Sequence, residues 1–461
     1  MTPAFAEPGA HALPIHLVTP EGLDAALAAL AEPQAAWARL HGFAGKLGES
    51  LVLPDGAGGA AGALFGWGEA KGRRARRFAF ADFAGKAPAG AWRIAGDLDP
   101  EEAAEAALGW LLAAYRFDRY KSAAAPKATL AAPANVDAAR LLAVAAGAYL
   151  ARDLINTPAG DMGPEAIEAA ARSLAHRHGA AAESVVGDAL LEANFPMIHA
   201  VGRAAAEAPR LIDLHWGDET APKVTLVGKG VAFDTGGLDL KPAAAMRMMK
   251  KDMGGAACAL AVAEMVMARK LPVRLRVLIP AVENSVSAAS FRPGDVLKSR
   301  KGLTVEIGNT DAEGRLILAD ALALASEEAP EMIFDFATLT GAARVATGLD
   351  LPPFFTDDER LAAEIAEAAR RERDPLWRLP LWDPYDEDLK SPVADLDNAP
   401  AGGFGGAITA ALFLRRFVGA GIPWAHFDIN AFNNSASPGR PKGGELQAGR
   451  AVFRLIEARH G

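Results

Sequence analysis

From residue 164 onward the chain alternates helical stretches with short apolar runs, and no other feature constrains its fold as strongly. The runs at 211–216, 224–227, 273–279, 332–336 and 424–429 are rich in β-branched and aromatic residues and read as buried strands. Helical patterns at 167–178, 253–269, 316–328, 407–417 and 451–458 fall between and around them. Strands separated by helices imply crossover connections, hence an α/β domain with a central, mostly parallel sheet flanked by helices. In such sheets ligands gather just beyond the strand ends. No internal repeat or coiled-coil heptad interrupts the pattern.

The acidic residues fall at those places. The segment NTDAEGRL (309–316) sets Asp311 and Glu313 one residue apart in a glycine-containing loop, with Arg315 two positions on. Residues i and i+2 of an extended loop project to one side, so both carboxylates can face one point. Two acids aimed together repel unless a proton or a cation lies between them, and hard divalent cations take carboxylate oxygens. By itself the string could be a solvated acidic turn.

Upstream, the strand at 224–227 leads into Gly228-Lys229-Gly230, then Asp234 before Thr235-Gly236-Gly237, Lys241-Pro242, and Asp252 before Gly254-Gly255. Neither G-x-x-x-x-G-K-[ST] nor G-x-G-x-x-G is present, so the glycines do not spell a nucleotide loop. Four carboxylates can hold two divalent ions with one bridging, an arrangement suited to hydrolysis. A lysine in such a site can lose its proton and ligate, whereas one that stays charged can stabilise an oxyanion. Each acid or lysine alone reads as a surface ion pair; the set does not.

Nine histidines form no paired zinc motif. His176 and His178 read as solvent-facing, and His199, His215 and His426 as hydrogen-bonded structural residues. Cys258, the only cysteine, follows Gly254-Gly255 in an apolar helix and reads as packing. A single cysteine excludes a disulfide framework and fits a reducing compartment. The formal charge of −9 implies no general nucleic-acid face, although KGRRARR (71–77) could bind phosphates locally or be a solvated basic loop. No apolar run reaches the roughly 20 residues that span a bilayer, and no secretory signal is evident, so a cytoplasmic protein is expected.

The first 127 residues read as a smaller N-terminal α/β domain, with strands at 16–19 and 50–53 and a helix at 100–117 capped by Asp99. Residues 128–160 read as a linker and connecting helix, and 161–461 as the larger C-terminal catalytic domain. The polar stretch 433–450 reads as a flap, a subunit contact or a solvated loop.

Taken together the segments ARDLINTPAGDMGPE, VGKGVAFDTGGLDLKP, KDMGGAA, FRPGDVLKSRKGLTVEIGNTDAEGRLILADAL, ATLTGA and WRLPLWDPYDEDLKSPVADLDN resemble the leucyl aminopeptidase family of cytosolic dinuclear-metal aminopeptidases. The resemblance implies that Lys229, Asp234, Asp252 and Glu313 hold one divalent ion, Mn²⁺ or Zn²⁺, and that Asp234, Asp311 and Glu313 hold the other. It implies that Lys241 polarises the scissile carbonyl, and that Arg315 anchors a bicarbonate acting as general base. Met249 would line the pocket for the first side chain, with Thr338, Leu339 and Gly341 as a wall and hydrogen-bonding edge for the peptide. The implied activity is removal of N-terminal residues from peptides, apolar ones such as leucine preferred, by a homohexamer. A dinuclear phosphohydrolase and an added DNA-binding role are the alternatives. Thr235 and Gly160 depart from the usual Ser and Asn without touching a proposed ligand.

Overall fold

A computed structural model of the chain describes residues 1–400 and 402–461. It divides into two compact units, one of Met1–Tyr149 with Asn434–Lys442, the other of Leu150–Asn433 with Gly443–Gly461. The division falls inside the helix Ala138–Asn156.

In the first unit a five-stranded sheet runs in the order Ser50–Pro54, Ala60–Gly66, Ala12–Val18, Gly90–Ala95, Ala128–Leu130. All its pairs are parallel except the hairpin of Ser50–Pro54 with Ala60–Gly66. The helix Pro100–Ala114 begins where expected: Asp99 accepts from the N–H groups of Glu101 and Glu102, satisfying two donors that the first turn leaves free. The basic stretch 71–77 is not an open loop. Residues Ala70–Ala75 are helical, and Arg73 and Arg76 are ion-paired with Glu102 and Asp82, which leaves less charge for a phosphate.

The second unit is built on a nine-stranded sheet. Its centre is four parallel strands, Trp424–Asp428, Met332–Ala337, Lys223–Gly228 and Arg274–Asn284, with Gly230–Asp234 also parallel to the last. The margins are antiparallel: Arg210–Trp216 and Ala181–Val186 on one side, Pro353–Phe355 on the other. The sheet is therefore mixed, with the expected parallel core. Strands covered on both faces cannot alternate polar and apolar residues, and Met332–Ala337 and Trp424–Asp428 are buried at every position. Val227, Leu278 and Ile333 pack in one cluster with Leu316, Ile317 and Leu322 of the helix Glu313–Glu327. The helix Gly254–Ala268 is apolar almost all round and buried through Met267, as its sequence requires.

Two sequence readings are corrected. His178 is not solvent-facing: its Nε2 lies 3.2 Å from Glu264 Oε1. The stretch 433–450 is not a solvated loop. Only 434–437 and Lys442 are exposed, Phe432–Asn433 pairs with Gly443–Gly444, and Arg440, Glu445, Gln447 and Arg450 are buried. Glu445 accepts from Asn433 at 2.7 Å, and Arg450 meets Asp374 at 3.2 Å. Among the described residues no helix is long and apolar enough to cross a membrane.

A candidate metal centre at the strand ends

The proposed ligands come from five chain segments that end or begin at one edge of the central sheet. Lys229 follows the strand Lys223–Gly228, and Asp234 closes the strand Gly230–Asp234. Asp252 lies in the 3₁₀ turn Met249–Met253, Asp311 in the loop before the helix Glu313–Glu327, and Glu313 is that helix's first residue. Thr338 follows the strand Met332–Ala337.

Close backbone approach puts Asp252 beside Lys229. A Cβ on Gly255 would lie 2.1 Å from the Phe336 carbonyl oxygen and 2.7 Å from the Lys229 nitrogen. Only glycine lets the helix start against the strand ends there, and the Ala256 N–H donates to the Lys229 carbonyl at 2.9 Å.

The acids converge. One oxygen each from Asp234, Asp252 and Glu313 lie within 4.8 Å of one another, and all three residues are buried. Asp234 Oδ1 accepts from Gly236 N (2.8 Å) and Asn284 Nδ2 (2.9 Å), while Oδ2 faces Lys241 Nζ at 2.8 Å. Asp252 Oδ1 accepts from Thr338 Oγ1 at 2.7 Å. Lys229 Nζ stands 2.7 Å from Asp252 Oδ2 and 3.0 Å from Glu313 Oε1, and donates to the Thr338 carbonyl at 3.0 Å. Asp311 stands outside the close triad and joins it through Lys241, with which it also pairs.

Four carboxylates against two ammonium groups leave an excess of two negative charges. Burial and then Asp234 push Glu313 up to about 8, and the same causes push Asp311 up to about 6. Burial pulls Lys229 and Lys241 down, but the surrounding carboxylates outweigh it and raise both. Asp252 is held below its ordinary value: burial opposes this, and Lys229 and Lys251 overcome it. Asp252 Oδ2, Asp311 Oδ1 and Glu313 Oε1 have lysine nitrogens close by, yet among the described residues none receives a hydrogen bond of acceptable direction. Buried acceptors of that kind, in an oxygen-rich set with surplus negative charge, fit divalent cations.

Arg315 is buried and, among the described residues, has no ion pair. Nη1 donates to the Asn398 carbonyl at 2.6 Å, Nε has no partner, and burial brings its pKa down to about 10. A buried guanidinium with one free donor edge fits an exogenous anion.

Several residues that organise the site by hydrogen bonds, two asparagines and an aspartate, have no counterpart in the sequence reading. Asn284 orients Asp234. Asn398, fully buried, accepts from Gly308 N and Asn309 N and donates to the Asn309 and Ala312 carbonyls, clamping the loop that carries Asp311. Asp428 Oδ1 accepts from Leu339 N and Thr340 N, and Oδ2 from Thr340 Oγ1. The only signal for Asn398 was its place at the end of the DLDN string.

Met249 is 9% exposed on the same turn as Asp252. Thr338 is bound to Asp252, and Leu339 to Asp428, so the edge running to exposed Gly341 is fixed beside the acids. Every residue expected at the site from the sequence therefore lies around this one cluster or on the segments that border it.

A family model described as the cytosol aminopeptidase family, catalytic domain, matches residues 149–456, and one described as the M17 aminopeptidase N-terminal domain matches 13–133. A probable cytosol aminopeptidase of Syntrophotalea carbinolica is 41% identical over 367 residues, covering 76% of this chain and 73% of that protein. One of Streptomyces coelicolor is 40% identical over 407 residues, 81% of this chain and 78% of that protein. The crystal structure of cytosol aminopeptidase from Coxiella burnetii superposes with a TM-score of 0.94 at 46% identity, covering 99% of both chains. A bottromycin maturation enzyme solved with Mn gives 0.87 at 36% identity, covering 98% of this chain and 100% of that one.

Proposed function

We propose, for a chain that belongs to the cytosol aminopeptidase family and is therefore a metal-dependent aminopeptidase, that hydrolysis of the N-terminal residue rests on two divalent ions held by five residues. Lys229, Asp234, Asp252 and Glu313 would hold one ion, and Asp234, Asp311 and Glu313 the other. The observation that carries this reading is the convergence of buried Asp234, Asp252 and Glu313 oxygens within 4.8 Å. Manganese or zinc suits the mixed oxygen and amine donors, and a similar enzyme has been solved with Mn. Bound there, the ions would supply water activation and polarisation of the scissile carbonyl.

The chain's own residues do the rest. Lys241, gripped by Asp234 and Asp311, keeps its proton and would donate to the carbonyl oxygen as negative charge develops. Lys229 must give up its proton to ligate, so the upward shift imposed by its carboxylates has to be reversed by the cations' charge. Arg315 would hold bicarbonate on its free Nε and keep its own proton, leaving the general-base role to that anion. Met249 would meet the first side chain, and Thr338, Leu339 and Gly341 would border the peptide.

Leucine p-nitroanilide turnover should be full with Mn²⁺ or Zn²⁺ and vanish after chelation, returning when metal is restored. Activity retained by fully stripped enzyme would contradict the metal mechanism. We also propose a homohexamer, supported by exposed Trp377, Trp382, Val393 and Phe404 on the catalytic unit. Light scattering should give six times the 48.0 kDa chain, and a monomer mass at micromolar concentration would exclude it.

A further inference from the structure

The pocket proposed for the first substrate residue is bordered by two cations that no protein anion claims. Lys251, between Met249 and Asp252, is only 5% exposed. Arg344 is half-buried on the helix Gly341–Thr347, with Nη2 3.7 Å from where a Cβ on Gly341 would lie. Among the described residues neither side chain makes a hydrogen bond or an ion pair. The turn and the edge are neighbours: Thr338 Oγ1 donates to the Asp252 carbonyl at 2.9 Å, and a Cβ on Gly254 would lie 3.2 Å from Thr338 Cγ2. Lys251 lies within electrostatic range of Arg344, Asp252 and Asp428.

The acids in reach are already committed. Asp252 serves Lys229 and Thr338, and Asp428 spends both oxygens on Leu339 and Thr340. A buried cation without a partner is costly, and burial of polar groups is ordinarily matched by a partner. Here the free anion-binding capacity sits beside Met249 and Gly341, where the resemblance puts the substrate.

We propose that Arg344, with the charge of Lys251 behind it, recognises a carboxylate on the first side chain, so that the enzyme accepts N-terminal glutamate or aspartate as well as apolar residues. The guanidinium fork matches a carboxylate in two parallel hydrogen bonds, whereas Lys251 acts as a buried point charge. Arg344 is thus a specificity-determining residue, and Met249 supplies the apolar wall that a leucine side chain or a glutamate's methylenes would share. The inference rests on the aminopeptidase site proposed above.

The test is kcat/KM of the metal-loaded enzyme on glutamyl-, leucyl- and lysyl-p-nitroanilides, for wild type, Arg344→Leu and Arg344→Glu, with Leu-Gly and its amide alongside. Wild type should cleave the glutamyl substrate, and Arg344→Leu should lower the glutamyl-to-leucyl ratio about 10- to 100-fold. Arg344→Glu should favour the lysyl substrate, an inversion that misfolding cannot produce. A ratio unchanged within about twofold in both variants overturns the proposal. So does wild-type enzyme inert toward the glutamyl anilide, or a variant effect confined to Leu-Gly over its amide, which would assign Arg344 to the substrate's C-terminal carboxylate. If wild type does not cleave the leucyl anilide either, the aminopeptidase reading fails along with the inference.

Discussion

Replacing Glu313 by glutamine should lower kcat on leucine p-nitroanilide by about 10³-fold or more, with the fold intact. Glu313 faces Lys229, belongs to the close triad and heads the helix Glu313–Glu327. It would bridge the two ions, so the change removes a ligand charge from both at once. Glutamine is nearly isosteric, and the site disfavours the ionised acid there, since burial and Asp234 raise it to about 8. The metal-free protein should therefore lose little stability, which separates the catalytic loss from a folding defect. Near-normal turnover by this variant would show that the ligand assignment is wrong.

Gly255→Ala should be a strongly damaging small substitution, and one that acts directly at the site. Its Cβ would meet the Phe336 carbonyl oxygen at 2.1 Å and the Lys229 nitrogen at 2.7 Å, both backbone atoms that cannot rotate away. The helix Gly254–Ala268 must back off the strand ends, at a cost of about 3 kcal/mol or more. That is about 5–10 °C in thermal midpoint for a unit of this size. The same displacement pulls Asp252 from Lys229, so activity should fall further than stability alone explains. Gly160→Ala is the control: nothing lies within 4 Å of its added Cβ, and midpoint and turnover should match wild type. A Gly255→Ala protein with wild-type midpoint would show that the close approach is not needed.

How far these features can be read from the sequence depends on the kind of signal. The central strands are covered on both faces, so they appear as continuous apolar runs and were found within a residue or two at most boundaries. Ala60–Gly66 and Ala181–Val186 were missed because alanine and glycine carry little strand preference. The direction of the marginal pairs depends on connections that no local pattern encodes. The charged residues of the site stood out because surplus acid and lysine in glycine-rich loops needs an explanation. Asn284, Asn398 and Asp428 did not, because they act by hydrogen bonds to backbone 26 to 90 positions away. The stretch 433–450 misled for the same reason: Arg450 and Glu445 look solvated until Asp374 and Asn433 are brought to them.

Metal content per chain is the most direct test of the account, measured by elemental analysis after dialysis in wild type and Glu313→Gln. The two-ion site predicts two equivalents of Mn²⁺ or Zn²⁺ per wild-type chain, and fewer in the variant in step with its lost activity. A fully active wild-type enzyme holding one equivalent or none would contradict it.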